Sequence, residues 1–148
     1  MPDHSLLIVA AVTSVAVALL HVYVIAKGAP AYRFFGAGER LATMAERGSW
    51  VPALITWGIT FTFMVFAAYY LSAAGLLHEL PFLPLGLLVI AALYTLRGAA
   101  LLPLLLIGRP VTPFERWSSL VSLAIGLLHC AAAWTYGIWP LTDVFPNP

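Results

Sequence analysis

One arginine lies in the middle of a long apolar stretch of this sequence. Residues 84–107 read PLGLLVIAALYTLRGAALLPLLLI, and Arg97 is the single charged residue among them. As a helix this stretch can cross a bilayer, because about 20 residues at a rise of about 1.5 Å span about 30 Å. An Arg at the centre of a membrane helix costs about 2.5–3.5 kcal/mol on insertion scales, and it stays protonated. The sequence therefore predicts a partner for this guanidinium group inside the folded protein.

Three kinds of partner for Arg97 are compatible with the sequence. The first is Glu39 or Glu46, carried inward by the loop before the second apolar stretch, because no acidic residue lies within a predicted span. The second is a backbone carbonyl group, since Pro103 has no N–H and leaves the carbonyl of Ala99 without its helical partner. The third is a ligand with a carboxylate, phosphate or carbonyl group, which matches the fork of guanidinium donors.

Other hydrogen-bonding side chains fall at a similar depth in the predicted helices. Counted at about 1.5 Å per residue from the helix ends beside the basic loops, Arg97 lies about 15 Å deep and Thr60 about 14 Å deep. On the same scale His129 lies about 18 Å deep and Tyr94 about 20 Å deep, and Tyr70 shares a helix face with Thr60. We therefore predict a ligand-binding site formed by Arg97, His129, Tyr94, Tyr70 and Thr60.

A second polar layer is predicted closer to the first loop. His21 lies about 8 Å from the inner end of its helix. The loop segment around Tyr32, Arg33 and Glu39 contains glycines, so it can fold inward as a lid over the bundle. We predict that these four residues form a gate. The alternative is a helix that lies on the membrane surface with its charges in water.

The sequence contains no motif that assigns catalysis, and it leaves open whether this protein is an enzyme. No phosphate-binding loop, metalloprotease motif or nucleophile elbow occurs. No metal site is predicted, because the single cysteine, Cys130, cannot form a thiolate cluster and His21 and His129 lie at different depths. A bis-histidine haem is disfavoured, since His21 and His129 differ in depth by about 10 Å. The cofactor is therefore not identified, and a net charge of +1 gives no indication of a nucleic-acid partner.

These side chains must be positioned by membrane helices. The chain is 62% hydrophobic and 9% charged, whereas soluble domains carry about 25% charged residues. Each apolar stretch places its polar residues on one face, so the stripes should converge inside an antiparallel bundle. We predict an all-α integral membrane protein that forms one domain over residues 1–148. The predicted spans cover residues 5–26, 51–77, 82–107 and 117–139.

The basic residues of the loops predict the orientation of this bundle. Those of the first and third loops are Lys27, Arg33, Arg40, Arg47, Arg109 and Arg116. Basic loops stay in the cytoplasm, so both termini should face outward. The long cytoplasmic loop 27–50 should carry a short interfacial helix at residues 37–47, with its polar residues on one face. Arginine outnumbers lysine and alanine is abundant, which favours a bacterial cytoplasmic (inner) membrane.

Small residues recur every fourth position on two helices. Ser14 lies in one such row, and Ser118, Ser122 and Gly126 lie in another. Such rows allow close approach of helix backbones. One alternative function is therefore an assembly subunit that binds a partner or a second copy of itself through these faces. Another is the protomer of an oligomeric transporter or channel, with the polar stripes lining the path.

The polar residues around Arg97 favour a third function. We expect an inner-membrane protein that binds a small or lipid-like molecule, similar to a quinone or a fatty acid, inside the bundle. Arg97 would hold its anionic or carbonyl head group. Membrane lipid is the expected environment and one expected partner.

Overall fold

The structure is a computed structural model that describes residues 4–137, and this part of the chain folds into helices without strands. The element order is α1 (Ser5–Lys27), α2 (Ala29–Phe34), α3 (Glu39–Glu46), α4 (Val51–Ala73), α5 (Leu83–Ala99), α6 (Leu101–Leu106) and α7 (Pro113–Thr135).

Four helices of the described chain are long and apolar enough to cross a membrane, which confirms the number predicted from the sequence. They cover Ser5–Lys27, Val51–Ala73, Leu83–Leu106 and Pro113–Thr135. The third includes both α5 and α6, which are separated at Ala100. This interruption lies three residues before Pro103, which cannot donate to the carbonyl of Ala99.

The second long helix ends at Ala73, four residues before the predicted end at residue 77. Gly75 adopts φ +73°, a left-handed conformation that glycine reaches without steric cost. The backbone N–H of Leu76 then donates to the carbonyl of Leu71 at 2.9 Å, and that of Gly75 donates to Ser72 at 3.0 Å. This pair of bonds is a Schellman motif, which satisfies the last carbonyl groups of the helix.

The fourth long helix begins at Pro113, four residues before the predicted start at residue 117. Thr112 and Glu115 form a capping box: the N–H of Glu115 donates to Thr112 Oγ1 at 3.1 Å, and the N–H of Thr112 donates to Glu115 Oε2 at 2.6 Å. Pro113 occupies the first helical turn, where its missing N–H costs nothing. The predicted end at Trp139 lies outside the described residues.

The four long helices are arranged as two closely packed pairs. Helix α1 packs mainly against α4, and α5 packs mainly against α7. All four helices share one apolar core, which contains Leu7, Tyr70, Leu87 and Ala132. These residues lie near the start of α1, the end of α4, the start of α5 and the end of α7.

A second, smaller core lies at the other end of α1. It joins α1 to α2 and α3 through Val24, Ala29, Tyr32 and Ala42. The two cores are separate, and α5 and α7 contribute no buried residue to the second one. The two helix pairs are therefore joined by a common core at one end, and a cleft separates them toward the other.

Candidate functional site

The cleft between the two helix pairs has a volume of about 610 Å³ and is lined by all four long helices. Its walls are mostly apolar, and they include Phe63 of α4 and Val121 of α7. Three larger polar side chains reach it: His21 from α1 and both Tyr94 and Arg97 from α5. Apolar walls with a few polar groups are typical of small-molecule sites.

Arg97 faces this cleft with an exposed side chain. Its Nη1 donates to Ser119 Oγ and its Nη2 to Ser118 Oγ, each at 3.3 Å. Both partners are neutral hydroxyl groups in the first turns of α7. Within residues 4–137, no carboxylate lies within 4.0 Å of this guanidinium group, because both ion pairs found there involve Arg33.

The two glutamates considered as partners of Arg97 lie elsewhere. Arg33 binds Glu39 at 2.7 Å and Glu46 at 2.5 Å on the outer surface of α2 and α3. The hydrogen bonds from Arg33 lower the pKa of both carboxyl groups, and their hydrogen bonds raise the pKa of the Arg33 guanidinium. The carboxylates of Glu39 and Glu46 therefore neutralise Arg33 and not Arg97.

Helices α2 and α3 pack against the ends of α1 and α4 and do not enter the bundle. The Tyr32 hydroxyl lies 3.2 Å from Thr56 Oγ1 of α4, and both side chains are buried. Of the four predicted gate residues, His21 lines the cleft. Tyr32 joins α2 to α4, and Arg33 and Glu39 join α2 to α3.

A buried polar cluster lies next to the cleft. His129 Nδ1 is 2.8 Å from the carbonyl oxygen of Ile125, and its Nε2 is 3.1 Å from Ser14 Oγ. A carbonyl only accepts, so Nδ1 donates, and Nε2 of the neutral ring accepts from Ser14. The Tyr94 hydroxyl in turn donates to Ser14 Oγ at 3.4 Å. The chain of donors therefore runs from Tyr94 through Ser14 to His129.

Tyr70 completes this cluster from α4. Its hydroxyl donates toward the carbonyl oxygens of Leu87 at 3.3 Å and His129 at 3.2 Å. Its ring meets the His129 ring edge-on, with centroids 4.7 Å apart. Both side chains are fully buried. The cluster therefore connects α1, α4, α5 and α7 and satisfies its own polar atoms.

The structure divides the predicted ligand-binding residues into two groups. Arg97 and Tyr94 line the cleft, whereas His129, Tyr70 and Thr60 do not. Thr60 is buried and donates to the carbonyl of Thr56 in its own helix at 2.9 Å. The polar atoms of these three side chains bond to protein groups, and their role in ligand binding remains a prediction. Helical depth alone does not show which helix a side chain faces.

The small residues that were predicted to pack helices together also make specific polar contacts or line the cleft. Ser14 belongs to the buried cluster, Ser118 binds Arg97, and Ser122 lines the cleft. A Cβ atom on Gly126 would lie 2.6 Å from Thr95 N, so α5 and α7 are in backbone contact there. Gly126 thus allows the close approach expected of a small-residue row.

Aromatic rings connect the two helix pairs at the mouth of the cleft, a feature that the sequence reasoning missed. Phe35, which follows α2, meets Phe114 of α7 edge-on with centroids 5.9 Å apart. Phe34 lies 6.2 Å from the same ring. Gly36, at φ +67°, packs beneath it, since a Cβ there would lie 3.2 Å from two Phe114 ring atoms. The sequence carries one signal for this contact: Phe34 and Phe35 lie in the first basic loop, and Phe114 lies near the third.

The residues present offer little to a metal or haem. Over residues 4–137, no three His, Cys, Asp or Glu side chains lie together. Both ring nitrogens of His129 already have protein partners. Of the two histidines within the long helices, His21 alone faces the cleft.

Comparison with known proteins gave no relative, since no protein-family model, curated protein or solved structure matches the chain.

Proposed function

We propose that this protein is an integral membrane protein that binds an amphipathic, lipid-like molecule in the cleft, with Arg97 holding its anionic or carbonyl head group. The observation that carries this proposal is a guanidinium group that faces an apolar cleft and has two hydroxyl groups as its partners. Such a cation is costly within a membrane helix and gains most from an oxyanion or a carbonyl oxygen.

The hydrogen bonds of Arg97 leave capacity for a ligand. Guanidinium has five N–H donors, and the serine hydroxyl groups receive two of them at 3.3 Å. Charge-assisted bonds to carboxylate are usually about 2.7–2.9 Å long and contribute about 1.5–3 kcal/mol. A head group that takes the free donors therefore gains more than the serines provide.

The cleft walls suit an acyl or isoprenoid chain. Beside the polar residues they present Ile59, Leu93 and Val121, from α4, α5 and α7. A volume of about 610 Å³ lies within the range of about 300–1,000 Å³ for small-molecule sites. Fatty acids and quinones both combine an apolar chain with an oxygen-bearing head group.

Binding of radiolabelled palmitate to protein in nanodiscs tests the proposal. We expect Arg97→Leu to weaken binding about 10- to 100-fold, the equivalent of losing about 1.5–3 kcal/mol of charge-assisted hydrogen bonds. Arg97→Lys keeps the charge but loses the planar, forked set of guanidinium donors, so we expect affinity to fall by an intermediate factor of about 10. The matched control is Arg116→Leu, which removes an exposed arginine from the first turns of α7 outside the cleft lining.

Equal binding by wild type and Arg97→Leu would contradict the proposal, as would equal losses in Arg97→Leu and Arg116→Leu. Native mass spectrometry of the purified protein adds a test without a chosen probe. A molecule with an acidic or carbonyl head group should be retained by wild type and lost from Arg97→Leu.

We further propose that the four long helices form an antiparallel bundle in a bacterial inner membrane, with both termini outside. Support comes from the basic residues: Lys27, Arg33, Arg40 and Arg47 lie in segment 27–50, and Arg109 and Arg116 lie just before α7 and in its first turn. Such basic segments indicate the cytoplasmic side. The common core supports an antiparallel arrangement of α1 and α4, because it contains residues from the start of α1 and from the end of α4. With this orientation, the aromatic mouth of the cleft faces the cytoplasm.

The ligand-binding function is favoured over an assembly subunit that uses the small-residue rows. Ala10, Ser14 and Ala18 are all buried within one chain. Gly126 is likewise covered by Thr95. Ala10, Ser14, Ala18 and Gly126 therefore already contact the chain's own helices, and Ser118 and Ser122 face the cleft.

A further inference from the structure

The cleft carries polar groups on both of its walls. Arg97, Ser118 and Ser122 belong to the α5–α7 pair, whereas His21 belongs to the α1–α4 pair. Any head group that contacts both Arg97 and His21 therefore spans the cleft from one pair to the other.

His21 presents a hydrogen-bond acceptor to the cleft. Its Nδ1 lies 2.8 Å from the carbonyl oxygen of Val17, one turn earlier in α1. Because a carbonyl only accepts, Nδ1 carries the hydrogen and Nε2 of the neutral ring has a free lone pair. The ring packs against Phe63 with centroids 5.1 Å apart, which holds it at the cleft wall. Within residues 4–137, Nε2 has no hydrogen-bond partner.

The hydroxyl groups of Tyr94, Thr62 and Ser118 already make hydrogen bonds within the protein, and each keeps a lone pair that can accept. The Tyr94 hydroxyl is bonded to Ser14, and Thr62 Oγ1 donates to Gly58 at 3.0 Å. Ser118 Oγ already accepts from Arg97. A ligand hydroxyl group left unpaired between apolar walls costs about 1–3 kcal/mol. His21 Nε2 differs from these hydroxyl groups because it carries no hydrogen, so it can pair with a ligand only by accepting a hydrogen bond.

We propose that the ligand bridges the two helix pairs, accepting hydrogen bonds from Arg97 and donating one to Nε2 of His21. This inference rests on the proposed function and narrows its ligand class. The head group carries a hydroxyl group next to a carboxylate or carbonyl, as in a 2-hydroxy fatty acid or a hydroxyquinone. These compounds share the donor and acceptor that the two walls require.

Three matched probes test the bridge: palmitate, 2-hydroxypalmitate and 2-methoxypalmitate, each competing with radiolabelled palmitate on protein in nanodiscs. Wild type should bind the hydroxy acid about 10-fold more tightly than the methoxy acid, since the methoxy oxygen cannot donate. In His21→Phe this ratio should fall to about one, because phenylalanine cannot accept the hydrogen bond. His21→Gln keeps an acceptor and should restore part of the preference.

The control variant is His78→Phe, which changes an exposed histidine outside the cleft and should keep the wild-type ratio. A ratio that stays near 10 in His21→Phe would overturn the bridge, because it would show a steric effect of the methyl group. Equal affinity of wild type for the hydroxy and methoxy acids would overturn it as well.

These outcomes are distinct from failure of the proposed function. If Arg97→Leu binds all three probes as tightly as wild type does, the head-group role of Arg97 is wrong whatever His21 does. If Arg97→Leu weakens all three probes and His21→Phe keeps the hydroxyl preference, the function stands and the bridge fails. If no probe binds wild type, both are wrong.

Discussion

Ser14 shows how one hydroxyl group can connect three of the long helices. It receives a hydrogen bond from Tyr94 and donates one to His129, and all three side chains are buried. Its place in a small-residue row was visible in the sequence. Its hydrogen bonds were not, because helical periodicity gives the face of a residue but not the residue opposite.

We expect Ser14→Ala to destabilise the protein by about 1–3 kcal/mol. It removes the acceptor of Tyr94 and the donor to His129 Nε2 and leaves both buried groups unpaired. Thermal unfolding in detergent measures the effect.

Thr13→Ala on the same helix is the matched control, because Thr13 Oγ1 bonds to carbonyl groups of its own helix. It should change stability by no more than about 0.5 kcal/mol. Equal effects of the two variants would contradict a cooperative role for the buried cluster.

At the scale of elements, apolar length predicted the four long helices, and local chemistry decided where two of them begin or end. The hydropathy of the sequence continues past Ala73, but the Schellman motif at Gly75 stops the helix there. The Thr112–Glu115 capping box similarly starts α7 before its most apolar part. Both signals are short sequence patterns, and an average of hydropathy over many residues does not detect them.

The α5–α7 pair depends on two glycines that permit backbone contact. A Cβ on Gly126 would lie 2.6 Å from Thr95 N and 2.8 Å from Thr95 Cα, while one on Gly98 would lie 2.5 Å from Leu123 Cα. We expect Gly126→Ala to cost about 1–3 kcal/mol, because neighbouring backbone must move. Differential scanning fluorimetry measures the loss.

Gly58→Ala is the matched control for this prediction. Gly58 is also helical, and a Cβ there would have no neighbour within 4 Å. Its replacement should be neutral or stabilise the protein by up to about 1 kcal/mol, since alanine favours helix. Equal melting temperatures of the two alanine variants would contradict the close contact of α5 and α7.

At the scale of the whole molecule, the sequence predicted the number of long helices but not their pairing. A converging polar stripe on every helix suggested one shared site. The structure instead has a buried cluster around His129 next to a cleft around Arg97, and Tyr94 takes part in both. That division depends on which faces α1 and α4 turn toward α5 and α7, and this is set by tertiary packing.

The proposed orientation predicts which loops are accessible from outside. In a Cys130→Ala background, we expect Glu79→Cys to react with a membrane-impermeant maleimide in right-side-out vesicles. Ala37→Cys should react after permeabilisation only, because it lies in the basic loop 27–50. The parent lacking Cys130 controls for non-specific labelling. The opposite labelling pattern would reverse the proposed orientation.

The aromatic contacts at the mouth of the cleft have a mechanical consequence. The two helix pairs are joined by a large core at one end and by Phe34, Phe35 and Phe114 at the other. An edge-on ring contact such as that of Phe35 with Phe114 contributes about 0.5–1.5 kcal/mol, little more than thermal energy. We therefore expect the two pairs to move by rocking about the shared core, with the largest displacement where the phenylalanines meet.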